Sequence, residues 1–409
     1  MTVKAAWRAG MVAILLGATA CTSAQPTASS VPPSASSAPT TATTTAPTTA
    51  RAPTPITVPT LAPDACARST LSRLDLAGRV GQVMMVGLEV TDPLGRYDEL
   101  AAFRIGNVFL AGRSTAGVDV IGEAVGQMQT AAIGTTGTYL HVAVDQEGGN
   151  VQTLRGPGFT DLPTALEQAA DGPAALGTRT SEWASELARA GITLDLAPVA
   201  DVVPAGTAAG NPPIGASSRQ YGSDPAVVAP LLASVVTALE AAGVSATVKH
   251  FPGLGRVQVN TDTSTGAVDE QTTVDDPALQ PFVAGIKAGT TAMMVSSASY
   301  PQLDPDNLAP FSNAIVEGLL KDRLGFTGVV VSDDLGRAVA VSGRTPGQRA
   351  VDFVAAGGDL VLTVDVDDAQ PMSSALVARA QGDPGFAARV ADAALRVLVS
   401  KQDAGLLVC

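Results

Sequence analysis

The chain has 409 residues, 46% of them hydrophobic and 15% charged, with a formal net charge of −13. That balance describes a well-buried globular interior and disfavours a nucleic-acid partner, so an uncharged or weakly charged ligand fits better. Length alone admits either several domains or one large α/β barrel.

The chain opens with Lys4 and Arg8, an apolar run from Met11 to Leu16, and small residues ending in Ala18-Thr19-Ala20-Cys21. This reads as a signal peptide over 1–20, too short to remain as a spanning helix. A cysteine directly after the small residues looks like a bacterial lipoprotein signal, although Ala18 stands where Leu is commoner. Lipidation of Cys21 is therefore expected, with the protein held outside the cytoplasm on the outer face of the cell membrane. Ordinary secretion is the alternative. Residues 21–63 are nearly all Ser, Thr, Ala and Pro, with Arg51 the one charge. Such a segment cannot build a core and is expected to be a disordered tether, about 35 Å long as a flexible coil.

Residues 64–409 carry the globular pattern. Eight apolar runs of strand length are predicted at 81–88, 105–111, 139–144, 192–197, 244–248, 292–295, 328–331 and 359–364. Most are continuous rather than alternating, as parallel strands covered on both sides should be. Helical patterns lie between them, among them 120–133, 180–189, 225–242, 279–288 and 312–324, with helices from about 373 to 402 closing the outer ring. Eightfold alternation of strand and helix predicts one (β/α)₈ TIM-like barrel above a doubly wound sheet. Cys66 and Cys409, at the two ends of this part, are expected to be bonded in an oxidising compartment. Closing so long a loop contributes on the order of 4–5 kcal/mol by loop entropy.

In such barrels the chemistry lies where strands end. The third run ends in Asp145-Gln146-Glu147-Gly148-Gly149, the fifth in Lys249-His250-Phe251-Pro252-Gly253 and the seventh in Ser332-Asp333-Asp334. Carboxylates and a cation converging on one barrel face suit glycosidic-bond cleavage: a nucleophile, a proton donor for the leaving oxygen, and donors for sugar hydroxyls. Position alone also admits aldolases, metal hydrolases or phosphate binders. No metal site is expected, since there is no closely spaced His/Cys set.

These motifs, with Leu196-Ala197-Pro198-Val199-Ala200-Asp201, Arg219-Gln220-Tyr221-Gly222 and the run from Gly325 to Leu335, resemble in order and spacing those of the single-domain β-N-acetylhexosaminidases of glycoside hydrolase family 3. The resemblance extends from about Leu71 to Leu407. It implies a barrel without cofactor, a retaining mechanism, and a carbohydrate substrate with terminal N-acetylglucosamine. Matched residue by residue, it implies that Asp333 is the nucleophile, that Lys249, His250 and Arg219 donate to the sugar, and that Asp145 accepts from its hydroxyls. A turn-capping role for Asp333, an internal ion pair between Lys249 and Asp145, and a satisfied core histidine at 250 are the plainer alternatives. His141, early in the third run with no motif around it, is given no role. With the chain ending soon after the eighth run, every catalytic group is expected to come from this barrel.

The sequence departs from the family chiefly at one loop. The family continues its fifth-strand motif as Lys-His-Phe-Pro-Gly-His-Gly-Asp-Thr, followed by Asp-Ser-His, whose His is the general acid/base and whose Asp orients it. Here Leu254, Gly255, Arg256 and Val257 follow Gly253, then Asn260-Thr261-Asp262. Counting from Lys249 places Asn260 on the orienting Asp and Asp262 on the missing His. Ser297 and Thr153 likewise stand where the family often has His and Arg. A carboxyl group serves as the acid if its pKa is raised, which burial beside Asp333 would do for Asp262. Asp269 and Glu270 are other donors in the same loop, and Asp262 as a plain turn residue is the bland reading. Two functions follow: an active exo-β-N-acetylglucosaminidase acting on cell-wall-derived or related glycosides, or a catalytically impaired sugar-binding or envelope-assembly lipoprotein on the same fold.

Overall fold

A computed structural model describes residues 64–409. The expected signal peptide (1–20), the lipidation site Cys21 and the tether (21–63) lie outside the described residues. Eight strands make the barrel: β1 Met84–Glu89, β2 Asn107–Ala111, β3 His141–Val144, β4 Leu194–Asp195, β5 Ser245–Phe251, β6 Ala292–Val295, β7 Val329–Ser332 and β8 Val361–Thr363. Each pairs in parallel with its sequence neighbour from β1 to β7, and β8 pairs with β1. A bridge between Val331 and Leu360, with Leu335 N–H donating to Leu362 O at 2.9 Å, closes the ring.

All eight predicted runs overlap a barrel strand, but β1 begins later than expected and β5 runs on through Lys249 and His250 to Phe251. Asp75 caps the helix Leu76–Gln82 by accepting from Gly78 N–H, so Gly81 and Gln82 belong to that helix. Gly81 is required there, because a Cβ would sit 2.0 Å from Arg104 O. The predicted outer helices appear as Val118–Thr136, Gly172–Arg189, Pro225–Ala241 and Gln280–Lys287. The fifth, Ala314–Arg323, is a π-helix. The last helical stretch is two helices, Ala369–Gly382 and Pro384–Asp403. Proline disfavours helical conformation in the residue before it, and Asp383, extended at φ −141°, caps the second helix.

Strand residues divide between two apolar cores. Met85, Phe109, Ala143, Leu194, Leu196, Met294, Val331 and Leu362 fill the barrel interior, while Val86, Leu88, Val108, Val142, Val248 and Val330 face the helices. Both faces being covered, strand sequences stay apolar throughout. Each buried Leu or Val contributes roughly 1.5–3 kcal/mol. The floor of the barrel holds a buried lysine with its donors engaged. Lys401 Nζ donates to Gly106 O at 2.7 Å, Gln82 Oε1 at 2.8 Å and Thr138 Oγ1 at 3.2 Å, and burial pushes its pKa well below the ordinary value. His141 lies between Thr193 Oγ1 and Ser400 Oγ at 3.2 and 3.0 Å, far from the strand ends. Burial first, and then the charge of Lys401, lowers its pKa to about 3.

Cys66 and Cys409 form a disulfide with Cα atoms 5.7 Å apart, joining the helix Ala65–Arg73 to the last residue. Adding reductant is expected to lower the thermal midpoint of the domain by several degrees, and peptide mapping of unreduced protein should recover Cys66 linked to Cys409. Two free thiols in protein from an oxidising compartment, or an unchanged midpoint, would contradict this.

Candidate active site

The ends of β2 to β8 surround a cleft of about 350 Å³ with Phe109, Leu196, Met294 and Leu362 among its apolar lining. Its polar lining includes Asp145, Arg219, Lys249, His250, Asn260, Asp262, Asp333 and Asp334. Every predicted catalytic and sugar-binding residue is therefore in one place. A larger hollow of about 630 Å³ lies at the other end of the barrel, against Thr290, Thr291, Gly328 and Val329 at strand beginnings, and contains none of them.

Lys249 stands on β5, where its backbone is fixed by Ala200 N–H donating to Lys249 O and Lys249 N–H donating to Pro198 O at 3.1 Å. Its buried ammonium reaches Asp145 and Glu147, each at 2.6 Å. The ion pair weighed for Lys249 and Asp145 thus exists, but it stands in the cleft wall and shares its cation with Glu147. Burial alone would lower the Lys249 pKa; the two carboxylates outweigh it and hold the amine above its ordinary range. Glu147 is nearly fully enclosed and also takes a bidentate pair from Arg219, Nε at 2.8 Å and Nη2 at 2.7 Å. Burial opposes its ionisation, yet Arg219 and Lys249 together keep its pKa well below the carboxylate range.

Arg219 is delivered by a loop that Asn211 organises, accepting from Gly215 N–H at 2.7 Å, and its Nη1 donates to Pro213 O at 2.7 Å. His250 follows Lys249 on β5. Its Nδ1 lies 2.7 Å from Asp201 Oδ2, while its Nε2 lies 3.4 Å from Arg219 Nη2. The Asp201 carboxylate fixes the ring, and Nε2 is turned toward the Arg219 guanidinium and the cleft. His250 is thus anchored by a buried carboxylate rather than packed in the apolar core.

Asp333 extends the end of β7. Its N–H donates to Val295 O at 3.0 Å, and its Oδ1 accepts from Asp334 N–H at 2.8 Å. Asp334 turns away from the cleft centre to accept from Gly336, Arg337 and Val364 N–H, so it builds the loop. Burial and the like charge of Asp262 raise the Asp333 pKa to about 6 against the opposing effect of His250.

Asp262 lines the cleft, close enough for its charge to act on Asp333, but it is exposed and not buried as expected. The physical reason lies in its loop: Asn260 Oδ1 accepts from Asp262 N–H at 2.9 Å, turning the chain outward at the cleft rim. Asp269 is buried outside the cleft, accepting from Gln271 and Thr272 N–H, and Glu270 is exposed and absent from its lining. Ser297 is fully buried with its hydroxyl unpartnered, and Thr153 N–H donates to Asp145 O at 2.9 Å.

Two functional residues were not singled out from sequence, Glu147 and Asp201, although both lie inside the motifs quoted above. For Glu147 a signal existed: with Asp145 it forms an i, i+2 pair, which an extended chain places on one side. For Asp201, which lies beyond β4, strand periodicity gives no such signal.

The glycosyl hydrolase family 3 N-terminal domain matches residues 75–399. A β-N-acetylhexosaminidase structure from Beutenbergia cavernae is 50% identical, with TM-score 0.79, covering 80% of this chain and 99% of that one. A family 3 β-N-acetylglucosaminidase structure from a Paenibacillus species is 30% identical, with TM-score 0.73, covering 81% of this chain and 63% of that one. A β-hexosaminidase of Stenotrophomonas maltophilia is 38% identical over 232 residues, which span 54% of this chain and 66% of that protein. With the family domain covering most of the barrel and a relative matched over nearly its whole length, the chain belongs to glycosyl hydrolase family 3.

Proposed function

We propose that this chain is an exo-acting, retaining β-N-acetylglucosaminidase that removes terminal N-acetylglucosamine from cell-wall-derived or related glycosides. The observation that carries the reading is the Asp333 carboxylate, oriented by Asp334 N–H and placed in one cleft with Lys249, Arg219, His250 and Asp145. A cleft of about 350 Å³ fits a single terminal sugar unit. The names of the Beutenbergia and Paenibacillus relatives support the N-acetylglucosaminide.

In the first step, starting from the form with Asp333 ionised and the proton of the pair on Asp262, an Asp333 oxygen bonds to the anomeric carbon as the glycosidic C–O bond breaks, and Asp262 gives its proton to the departing oxygen. In the second, water attacks the same carbon, its proton passes to Asp262, and the Asp333 ester bond breaks. Both groups are then restored. The impaired, sugar-binding reading draws on the exposure of Asp262 and the missing histidine.

We also infer a lipid anchor at Cys21 that holds the domain outside the cytoplasm. Replacing Cys21 by Ala should move the protein from the membrane fraction to the medium. Retention of a signal-cleaved Cys21→Ala protein in the membrane would rule the anchor out.

Purified domain is expected to hydrolyse aryl N-acetyl-β-glucosaminides, and Asp333→Asn to lose roughly 10⁴-fold or more on every substrate. Asp262→Asn should lose about 10²–10⁴-fold on disaccharides, whose leaving groups need a proton, but much less in the glycosylation step on dinitrophenyl glycosides. Binding of the sugar without turnover would favour the impaired reading, and equal losses on both substrate types would pass the acid role to another group.

The pH profile gives a separate check. Asp333 must be ionised to attack, so kcat/KM for a dinitrophenyl glycoside should fall as pH drops through about 6. Asp262→Asn removes a like charge, which lowers the Asp333 pKa and should move this acid limb to lower pH. An acid limb that stays in place, or moves upward, would contradict the coupling.

A further inference from the structure

The loop 254–276 carries Asp262 and contains the sequence departure at Arg256. It is tied down at three levels. Near β5, Asp201 Oδ1 accepts from Leu254 N–H at 2.7 Å, and Asn211 Nδ2 donates to Leu254 O and Val257 O, both at 2.7 Å. At its crest, Ala340 N–H donates to Thr261 O at 3.0 Å and Val339 N–H to Asp262 O at 3.2 Å. Those two donors belong to the segment that follows Asp333, so the crest is docked on the nucleophile's own loop.

Between the two levels stands Arg256. Its Nη1 and Nη2 form a bidentate pair with Asp276 at 2.6 and 3.0 Å, Nη1 also donates to Thr272 Oγ1 at 3.1 Å, and Asp269 lies 3.9 Å away. Asp276 in turn accepts from Ala278 N–H at the start of the following helical segment, and Asp269 binds the N–H groups of Gln271 and Thr272. One guanidinium thus joins the outgoing limb of the loop to its returning limb. The outgoing limb holds Arg256 six residues before Asp262, and the returning limb leads into the helix Gln280–Lys287 that packs outside β5.

A planar, always charged fork facing two carboxylates fixes direction as well as distance, which an ammonium does not. Asp262 is exposed and makes no side-chain bond of its own that would set its place. Its position must therefore be inherited from its backbone, and the backbone from these ties.

Resting on the reading of Asp262 as proton donor, we propose that Arg256 is a positioning residue that holds the loop 254–276 closed over the cleft, presenting Asp262 to the leaving-group oxygen before substrate arrives. It touches neither sugar nor reacting atoms. Asp276 is its partner in the same role.

The test compares Arg256→Lys, Arg256→Met and Asp276→Asn in the full chain, each measured on a dinitrophenyl glycoside and on a natural-type disaccharide beside Asp262→Asn. Folded fraction is followed by thermal denaturation. A positioning role predicts a selective fall in kcat on the disaccharide, about 10-fold or more, with glycosylation of the dinitrophenyl substrate within about threefold of the parent. Arg256→Lys should recover only part of the loss. A purely structural role lowers both substrates in the same proportion, following the folded fraction, and this outcome overturns the proposal. Should Arg256→Met fail to fold, Arg256→Lys and Asp276→Asn decide the matter alone. If Asp262→Asn is selective for leaving group and the Arg256 and Asp276 variants are not, the positioning idea fails while the acid assignment stands. If Asp262→Asn itself shows no selectivity, both fall.

Discussion

The site depends on one buried carboxylate with two cations. Glu147, almost wholly enclosed, is held between Lys249 at 2.6 Å and the Arg219 fork. Removing such charges from water costs several kcal/mol each, and mutual attraction offsets this only when geometry and hydrogen bonding are complete. Here they are nearly so: Lys249 also has Asp145, Arg219 also has Pro213 O, and the neighbouring His250 has Asp201. The cluster sets the direction of Lys249 and Arg219 where they face the cleft. Without Glu147 the two cations would repel across the cleft wall and the loop bearing Arg219 would have little to hold it inward.

The same chemical group behaves in opposite ways at the mouth of one barrel. Two neighbouring cations force Glu147 to stay ionised at any working pH, whereas burial and a like charge leave Asp333 at about 6. The first carboxylate is structural glue with a fixed charge. The second is poised, its charge state sensitive to what stands opposite. Asp195, beneath the cluster and buried on β4, goes further still: enclosure first, and then the like charges of Asp145 and Glu147, raise it to about 7, since Gln146 N–H and Lys249 only partly compensate.

Much of this was legible in the chain. Strand positions follow from apolar runs because both faces of a closed parallel barrel are covered, and strand-end residues follow because the runs stop at charged groups. Asp145, Lys249, His250 and Asp333 all lie at or just beyond such a stop. What could not be read is how loops turn. Gly81 looked like strand because helix capping by Asp75 is a local signal overlaid on an apolar stretch. Asp262 was placed correctly at the cleft but at the wrong depth. Its exposure is decided by an Asn260 turn and by contacts to Val339 and Ala340, nearly eighty residues away in the chain, which no local pattern reveals.

The disulfide has a geometric corollary. Cys66 and Cys409 meet on the same face as Asp64, which borders the hollow at the strand beginnings, and Tyr139 N–H, just ahead of β3, donates to Leu406 O. Both ends of the barrel domain are therefore gathered on the face opposite Asp333. A molecule coupled to a bead through either terminus would turn its mouth toward the liquid. Labels or fusions attached at residue 64 or 409 stand a full strand length from incoming glycans, and exchanging one terminus for the other as the point of attachment leaves substrate access unchanged.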